Sequence, residues 1–270
     1  MKNHFLKITV AFTITTLFLS CGNTSKPGSG VENSDTSEAV ENLAPVLMEI
    51  KKYADREADC KSENCTYIEL QVPVLSGGNE IAIEKINGYI NGQYHEAVKS
   101  RLAEPLGNAP LEAMCASFIE GYELFVLEFP DSNQKWYFEM DGSKSVVEDD
   151  YFTLILEQNE YLGGAHPAAF TQLNSFDISN GNMIDVVERF GKKKLTEIAE
   201  RYFREINNLT SDQNLNDAGF MFENGKFVLP ENMALIAEGI LMVYNSYEVA
   251  SYAQGETRFV ISYSELDGGV

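Results

Sequence analysis

The sequence predicts an α+β fold of two small lobes, with helices packed on mostly antiparallel sheets. Three observations predict it. First, Thr66 to Leu75 and Ala169 to Ile178 alternate apolar and polar residues at the two-residue period of a half-buried strand. Second, Ile83 to Leu102 and Leu195 to Ile206 carry apolar residues at helical spacing. Third, the elements neither alternate strictly nor separate into halves. They read β-β-α-β-β-β twice over, an order that suits helices laid on antiparallel sheets. The split is expected near residues 145–150, with one lobe over 44–148 and a second over 149–270. No internal repeat is visible.

Residues 1–20 have the form of an export signal. Lys2 and Lys7 precede an apolar run from Ile8 to Leu19, shorter than the ~20 residues a spanning helix needs. Ser20–Cys21 reads as a lipoprotein cleavage site, so Cys21 is expected to become the acylated first residue; an ordinary signal peptide or an uncleaved anchor are the alternatives. Lipid on Cys21 makes the membrane a partner and places the protein in the cell envelope, facing the periplasm or the exterior. Residues 21–43 are mostly small and polar and read as a disordered tether.

The chain carries 20 Lys and Arg against 41 Asp and Glu, a net charge of −21. Losing Lys2 and Lys7 with the signal leaves 18 against 41, or −23. Such a surface excludes nucleic acid, which requires a basic footprint, and favours encounter with cationic partners.

Val46, Met48 and Ile50 suggest a first strand, although the stretch through Tyr53 also suits a helix. In the next strand Ile68, Leu70, Val72 and Val74 share one face, and Pro73 points to an edge or a strand end. Between them Cys60 and Cys65 sit five apart in a polar loop. Outside the cytoplasm they are placed to form a disulfide at a hairpin tip, and without a histidine cluster they are a poor zinc set. Cys115 is read as a small buried apolar residue. Asn79 suits an N-cap for the helix whose stripe is Ile83, Ile86, Ile90, Tyr94, Val98 and Leu102.

From Cys115 onward the reading is β: Ala116 to Glu120, Tyr122 to Phe129, Lys135 to Met140, and Tyr151 to Glu157. Trp136, the one tryptophan, is expected to pack half-buried, with sugar stacking as the alternative. Beyond the Asn180–Gly181 turn, a helix is expected from Lys192 to Asn207, with Leu195, Ile198, Ala199, Tyr202 and Ile206 inward. Met233 to Tyr244 reads as a hairpin and Arg258 to Tyr263 as the last strand.

The stretch from Tyr161 to Asp185 is the most suggestive. Gly163 and Gly164 permit positive φ, and His166 before Pro167 is driven toward an extended conformation. The chain thus turns a glycine corner between two strands. GGAHP with FDISNG, then YNSYEVASYAQG from Tyr244 to Gly255, then YSEL from Tyr263 to Leu266, together resemble the extracytoplasmic domain shared by the bacterial anti-sigma factor RsiV and the peptidoglycan deacetylase PdaC. Ser251 and Ser262 stand where that domain often has proline. The resemblance spans roughly residues 65–266. It implies binding rather than catalysis: in the deacetylase the chemistry belongs to another domain, and in the anti-sigma factor the domain is a lysozyme-binding sensor.

The residues expected at a ligand are Gly163, Gly164, His166, Tyr247, Glu248 and Tyr252, on the expectation that the glycine corner and YNSYEVASY meet. Structural roles are the alternatives, His166 bonding nearby backbone and Glu248 capping a loop. Ser175, His166 and Asp177 offer triad residue types, but no G-x-S-x-G elbow accompanies them. One histidine without a carboxylate set makes no metal site, and no phosphate loop or dinucleotide fingerprint is present. The expected protein is a monomeric, lipid-anchored binding module without cofactor. Its expected ligand is peptidoglycan or a cationic protein such as lysozyme. The alternatives are an envelope-polymer hydrolase using His166 with nearby carboxylates, or a purely structural lipoprotein.

Overall fold

A computed structural model describes residues 43–266 except 59 and 61–63. The expected export signal, Cys21 and all of the expected tether but residue 43 lie outside the described residues.

The chain opens with a hairpin, β1 (Leu47–Arg56) and β2 (Tyr67–Ser76), paired antiparallel along their whole length. The Cys60–Cys65 disulfide closes its tip. Asn79 caps α1 (Glu80–Lys99), its side chain accepting from the Ala82 amide at 3.1 Å. Ile83, Ile86, Ile90, Tyr94 and Val98 are buried as the stripe predicts.

The next element corrects the sequence reading. Residues 111–128 are not two strands but one helix, α2 (Leu111–Glu128). Its buried residues are Leu111, Met114, Cys115, Phe118, Ile119 and Tyr122, a three-and-four spacing along one face. Leu124 and Leu127 on the exposed side filled in the polar face and hid that period. Cys115 is buried in this helix, where desolvation pushes its thiol up to about 12.

α1 and α2 form the crossover to β3 (Tyr137–Asp141), which pairs parallel to β2. Pairing of β2 with β3 ends at Gln71, so Pro73 lies past it, where its missing N–H leaves no ladder bond unmade. A short β4 (Val146–Val147) precedes β5 (Tyr151–Tyr161), which turns back into β6 (Ala168–Asp177). β3, β4 and β6 all pair antiparallel with β5. This six-stranded sheet therefore takes strands from both sides of residues 145–150.

Gly181, at φ +68, closes the turn after β6; a Cβ there would lie 2.7 Å from the Ala82 carbonyl oxygen. Two helices follow, α3 (Val186–Phe190) and α4 (Lys192–Ile206). α4 buries Leu195, Ala199 and Phe203, whereas Ile206, expected inward, is exposed. β7 (Asn232–Ile236), β8 (Gly239–Tyr244) and β9 (Thr257–Ser262) form an antiparallel three-stranded sheet, and α5 (Tyr263–Leu266) ends the described chain.

Strand alternation explains the layering. Phe152, Leu154 and Leu156 of β5 join the core beneath α1 and α2. Ile155, from the opposite face, meets Leu173 of β6 and Ala234, Leu241 and Val243 of the second sheet. Ile240, Met242 and Tyr244, on the far face of β8, join the core under α4. The order is helices, large sheet, small sheet, helix. β8 and the first half of β5, through Leu156, are covered on both faces, which is why they are nearly continuous apolar runs, while β5 turns polar from Glu157 onward.

Candidate functional site

The site lies at one end of the large sheet. Tyr67 on β2, Tyr137 on β3 and Tyr161 on β5 are direct register partners. Their neighbours Ile68 and Phe138 point into the helical core, so the tyrosines stand on the other face, beyond the end of the small sheet. The rings of Tyr67 and Tyr137 stack with centroids 5.7 Å apart, and Tyr137 and Tyr161 lie 6.4 Å apart. Two hydroxyls are already committed: Tyr67 donates to Glu139 at 2.6 Å and Tyr161 to the Gly164 carbonyl at 2.9 Å. Tyr67 resists ionisation because burial and the Glu139 carboxylate both disfavour a phenolate.

The glycine corner closes the row. Gly163 has φ +97 and Gly164 φ +109, conformations in which a side chain is strained. A Cβ on Gly163 would also lie 2.8 Å from Gln134 Oε1. After this turn His166 Nδ1 is 2.8 Å from the Pro167 carbonyl oxygen. That carbonyl only accepts, so Nδ1 carries the proton in the neutral ring. Nε2 is then an acceptor for the Tyr247 hydroxyl, 3.3 Å away. Tyr252 stacks on His166 at 4.1 Å and donates its hydroxyl to the same Pro167 carbonyl at 3.0 Å. Tyr247 lies 5.7 Å from Tyr252 and is 60% exposed. The glycine corner and the YNSYEVASY segment thus meet in space.

Asn245 sets their approach. Its buried side chain takes the place of a strand partner on the open edge of β6. It accepts from the Thr171 amide at 2.7 Å and donates to the Thr171 carbonyl at 2.9 Å. Glu248 is not turned to His166. Its carboxylate accepts from the Asn245 amide at 2.9 Å and caps the loop, in which Tyr247 takes φ +71. Desolvation, with the charge of Glu231, holds the Glu248 carboxyl above its ordinary value.

The triad residue types are not assembled. Ser175 is buried, 2.6 Å from the Thr153 hydroxyl and 2.8 Å from the Leu235 amide that donates to it. It stands seven residues along β6 from Ala168, about 23 Å at strand rise. Asp177 accepts from Ser179 and Asn180 in the following turn, bonds that hold its carboxyl below the ordinary carboxylate value. Trp136 packs against Phe118, Tyr122 and Phe125 of α2, which places it in the core rather than in the row. Among the described residues no His, Cys, Asp and Glu grouping could hold a metal ion.

A shallow depression of about 620 Å³ lies along the row, lined by Tyr67, Tyr137, Tyr161, His166, Asn133 and Gln134. A cavity of about 700 Å³ elsewhere is lined by Asp150, Asp177 and Arg189, but Arg189 already pairs with Asp150 at 3.5 Å. Sequence reading missed Tyr67 and Tyr137. Their signal was a tyrosine out of phase with the buried residues of each strand, meaningful only once β2 and β3 are known to pair.

Residues 186–264 match a family described as a protein of unknown function, DUF3298. The match covers α3 through β9 with the YNSYEVASY segment, and leaves out the glycine corner. The fold resembles that of a DUF3298 family member from Bacteroides fragilis NCTC 9343, with a TM-score of 0.62, 16% identity, and 82% of this chain and 92% of that one covered. It also resembles a DUF3298 family protein from Pseudomonas aeruginosa PAO1, with a TM-score of 0.52, 16% identity, and 83% and 94% covered. At that identity the likeness shows the fold alone. No curated protein matches the sequence.

Proposed function

We propose that this protein is a cell-envelope binding module whose ligand is a wall glycan laid along the tyrosine row. The carrying observation is that Tyr67, Tyr137 and Tyr161 align across three strands and end at the stack of His166, Tyr252 and Tyr247. Half-exposed rings on rigid strands offer apolar surface to sugar rings, and the Asn133 and Gln134 amides offer hydrogen bonds to hydroxyls. Tyr247 is held at positive φ, and such backbone strain gathers at ligand sites. The resemblance to the RsiV and PdaC domain supports a wall ligand, and an acylated Cys21 would keep the module at the membrane.

A cationic wall-lytic protein such as lysozyme is the second reading, favoured by the net charge of −21. A hydrolase has less support. The proton on His166 Nδ1 faces a carbonyl rather than an orienting carboxylate, and the Ser175 hydroxyl is enclosed.

The test is titration of the purified protein with soluble peptidoglycan fragments and with lysozyme, at low and physiological salt. Fragment binding should survive salt, and Tyr137→Ala should weaken it roughly two- to tenfold, matching an aromatic contact of about 0.5–1.5 kcal/mol. Salt-resistant binding of lysozyme alone would replace the glycan with the second reading. Release of cleaved fragments would establish a hydrolase.

A further inference from the structure

Beside the corner runs a groove of about 680 Å³ that shares only Tyr247 with the proposed glycan site. Phe170, Met221 and Val228 are among its lining residues and are 47%, 54% and 57% exposed. Glu223, Glu231 and Glu248 line it too. Among the described residues none of these three carboxylates is paired with a lysine or arginine, whereas Glu57, Glu157, Glu160, Glu200, Glu256 and Glu265 all are. The Glu231 charge acts on the neighbouring Glu248 carboxyl. Exposed apolar surface edged by uncompensated negative charge matches one chemistry: a side chain with an apolar stem and a cationic head.

We propose that this groove binds a short peptide segment carrying lysine or arginine next to an apolar residue. The stem lies along Phe170, Met221 and Val228, and the charge reaches Glu231 and Glu223. The volume falls within the ~300–1,000 Å³ of small-ligand sites, so the segment is a few residues long. Binding relieves the repulsion between Glu231 and Glu248, which supplies specificity for a cation over a neutral side chain of equal length.

The test is fluorescence anisotropy of the purified protein with a labelled peptide Ala-Phe-Lys-Ala-Lys-Ala, acetylated and amidated, at physiological salt. The same peptide with norleucine for both lysines should bind at least tenfold more weakly. Glu231→Gln and Phe170→Ala, both at exposed positions, should each weaken the lysine peptide about tenfold, with Leu127→Ala, exposed on α2, leaving it unchanged. The proposal is overturned if the lysine peptide does not bind, or if norleucine substitution or the two groove variants leave affinity unchanged. It is equally overturned if Glu84→Gln, remote on α1, weakens binding as much as Glu231→Gln. That result would mean the acidic surface as a whole attracts the peptide.

Discussion

The two cores of this molecule are built differently. The core under α1 and α2 draws on long regular elements and is mostly aliphatic, from Ile68, Leu70 and Val72 to Ile83, Ile86 and Ile90. The core under α4 is organised on one aromatic ring. Phe203 contacts Phe220, Phe222, Phe227 and Tyr244 with centroids 4.8 to 5.6 Å apart. Three of those partners come from residues 209–231, which have little regular structure. A core of repeated elements spreads its stability over many similar contacts. One that anchors an irregular segment concentrates it, because the segment has few backbone ladders of its own.

Phe203→Ala tests this concentration most directly. Truncating a buried aromatic costs about 3–5 kcal/mol, a fall of roughly 10 °C in Tm for a domain of this size. Scanning calorimetry should show it, and hydrogen exchange should show residues 209–231 losing protection before α1 does. Equal loss in both cores would mean that the molecule unfolds as one unit.

The site is made where the two halves touch, so the next prediction concerns the joint. Asn245→Ala removes both bonds to Thr171 and leaves buried backbone groups of β6 unpartnered, at about 1–3 kcal/mol. It should also detach Tyr247 and Tyr252 from His166, seen as a shift of the His166 ring signals in NMR. Unmoved signals would show that the aromatic stack holds itself.

Gly164→Ala is expected to do less. No heavy atom lies within 4 Å of where its Cβ would sit, so only the backbone strain at φ +109 remains, about 1–2 kcal/mol by denaturant titration. Gly163→Ala should exceed it, because Gln134 must also give way.

The smallest effect is expected at Glu248. Its carboxyl is raised in the fold by desolvation first and by Glu231 among the further causes. Between the ordinary carboxylate value and the raised one, the folded state binds more protons than the unfolded, so stability falls as pH rises through that window. Glu248→Gln, which keeps an acceptor for the Asn245 amide, should stabilise slightly at neutral pH. The gain should vanish below the ordinary carboxylate value. A gain that persists there would implicate packing rather than charge.

How much of this was legible in sequence depends on whether one face of an element stays polar. α1 was readable because its stripe is flanked by polar residues and its cap is local. α2 was not, because Leu124, Leu127 and Phe129 are apolar and exposed. The meeting of His166 with Tyr247 and Tyr252 was legible because glycine, proline and clustered tyrosine mark both segments locally. Glu248 was named beside them and proved to cap the loop. Tyr67 and Tyr137 were invisible, since nothing in either strand announces the other.

By itself the sequence determined the first hairpin, the helices α1 and α4, the glycine corner and the disulfide partners, all set by interactions within a few residues or by one-sided burial. Tertiary structure alone decided that β3 lies parallel to β2, that Asn245 completes the edge of β6, and that three tyrosines from distant strands form one row. These are pairings between segments tens of residues apart. Periodicity reports that a face is buried or exposed, and only the packed chain settles which face it meets.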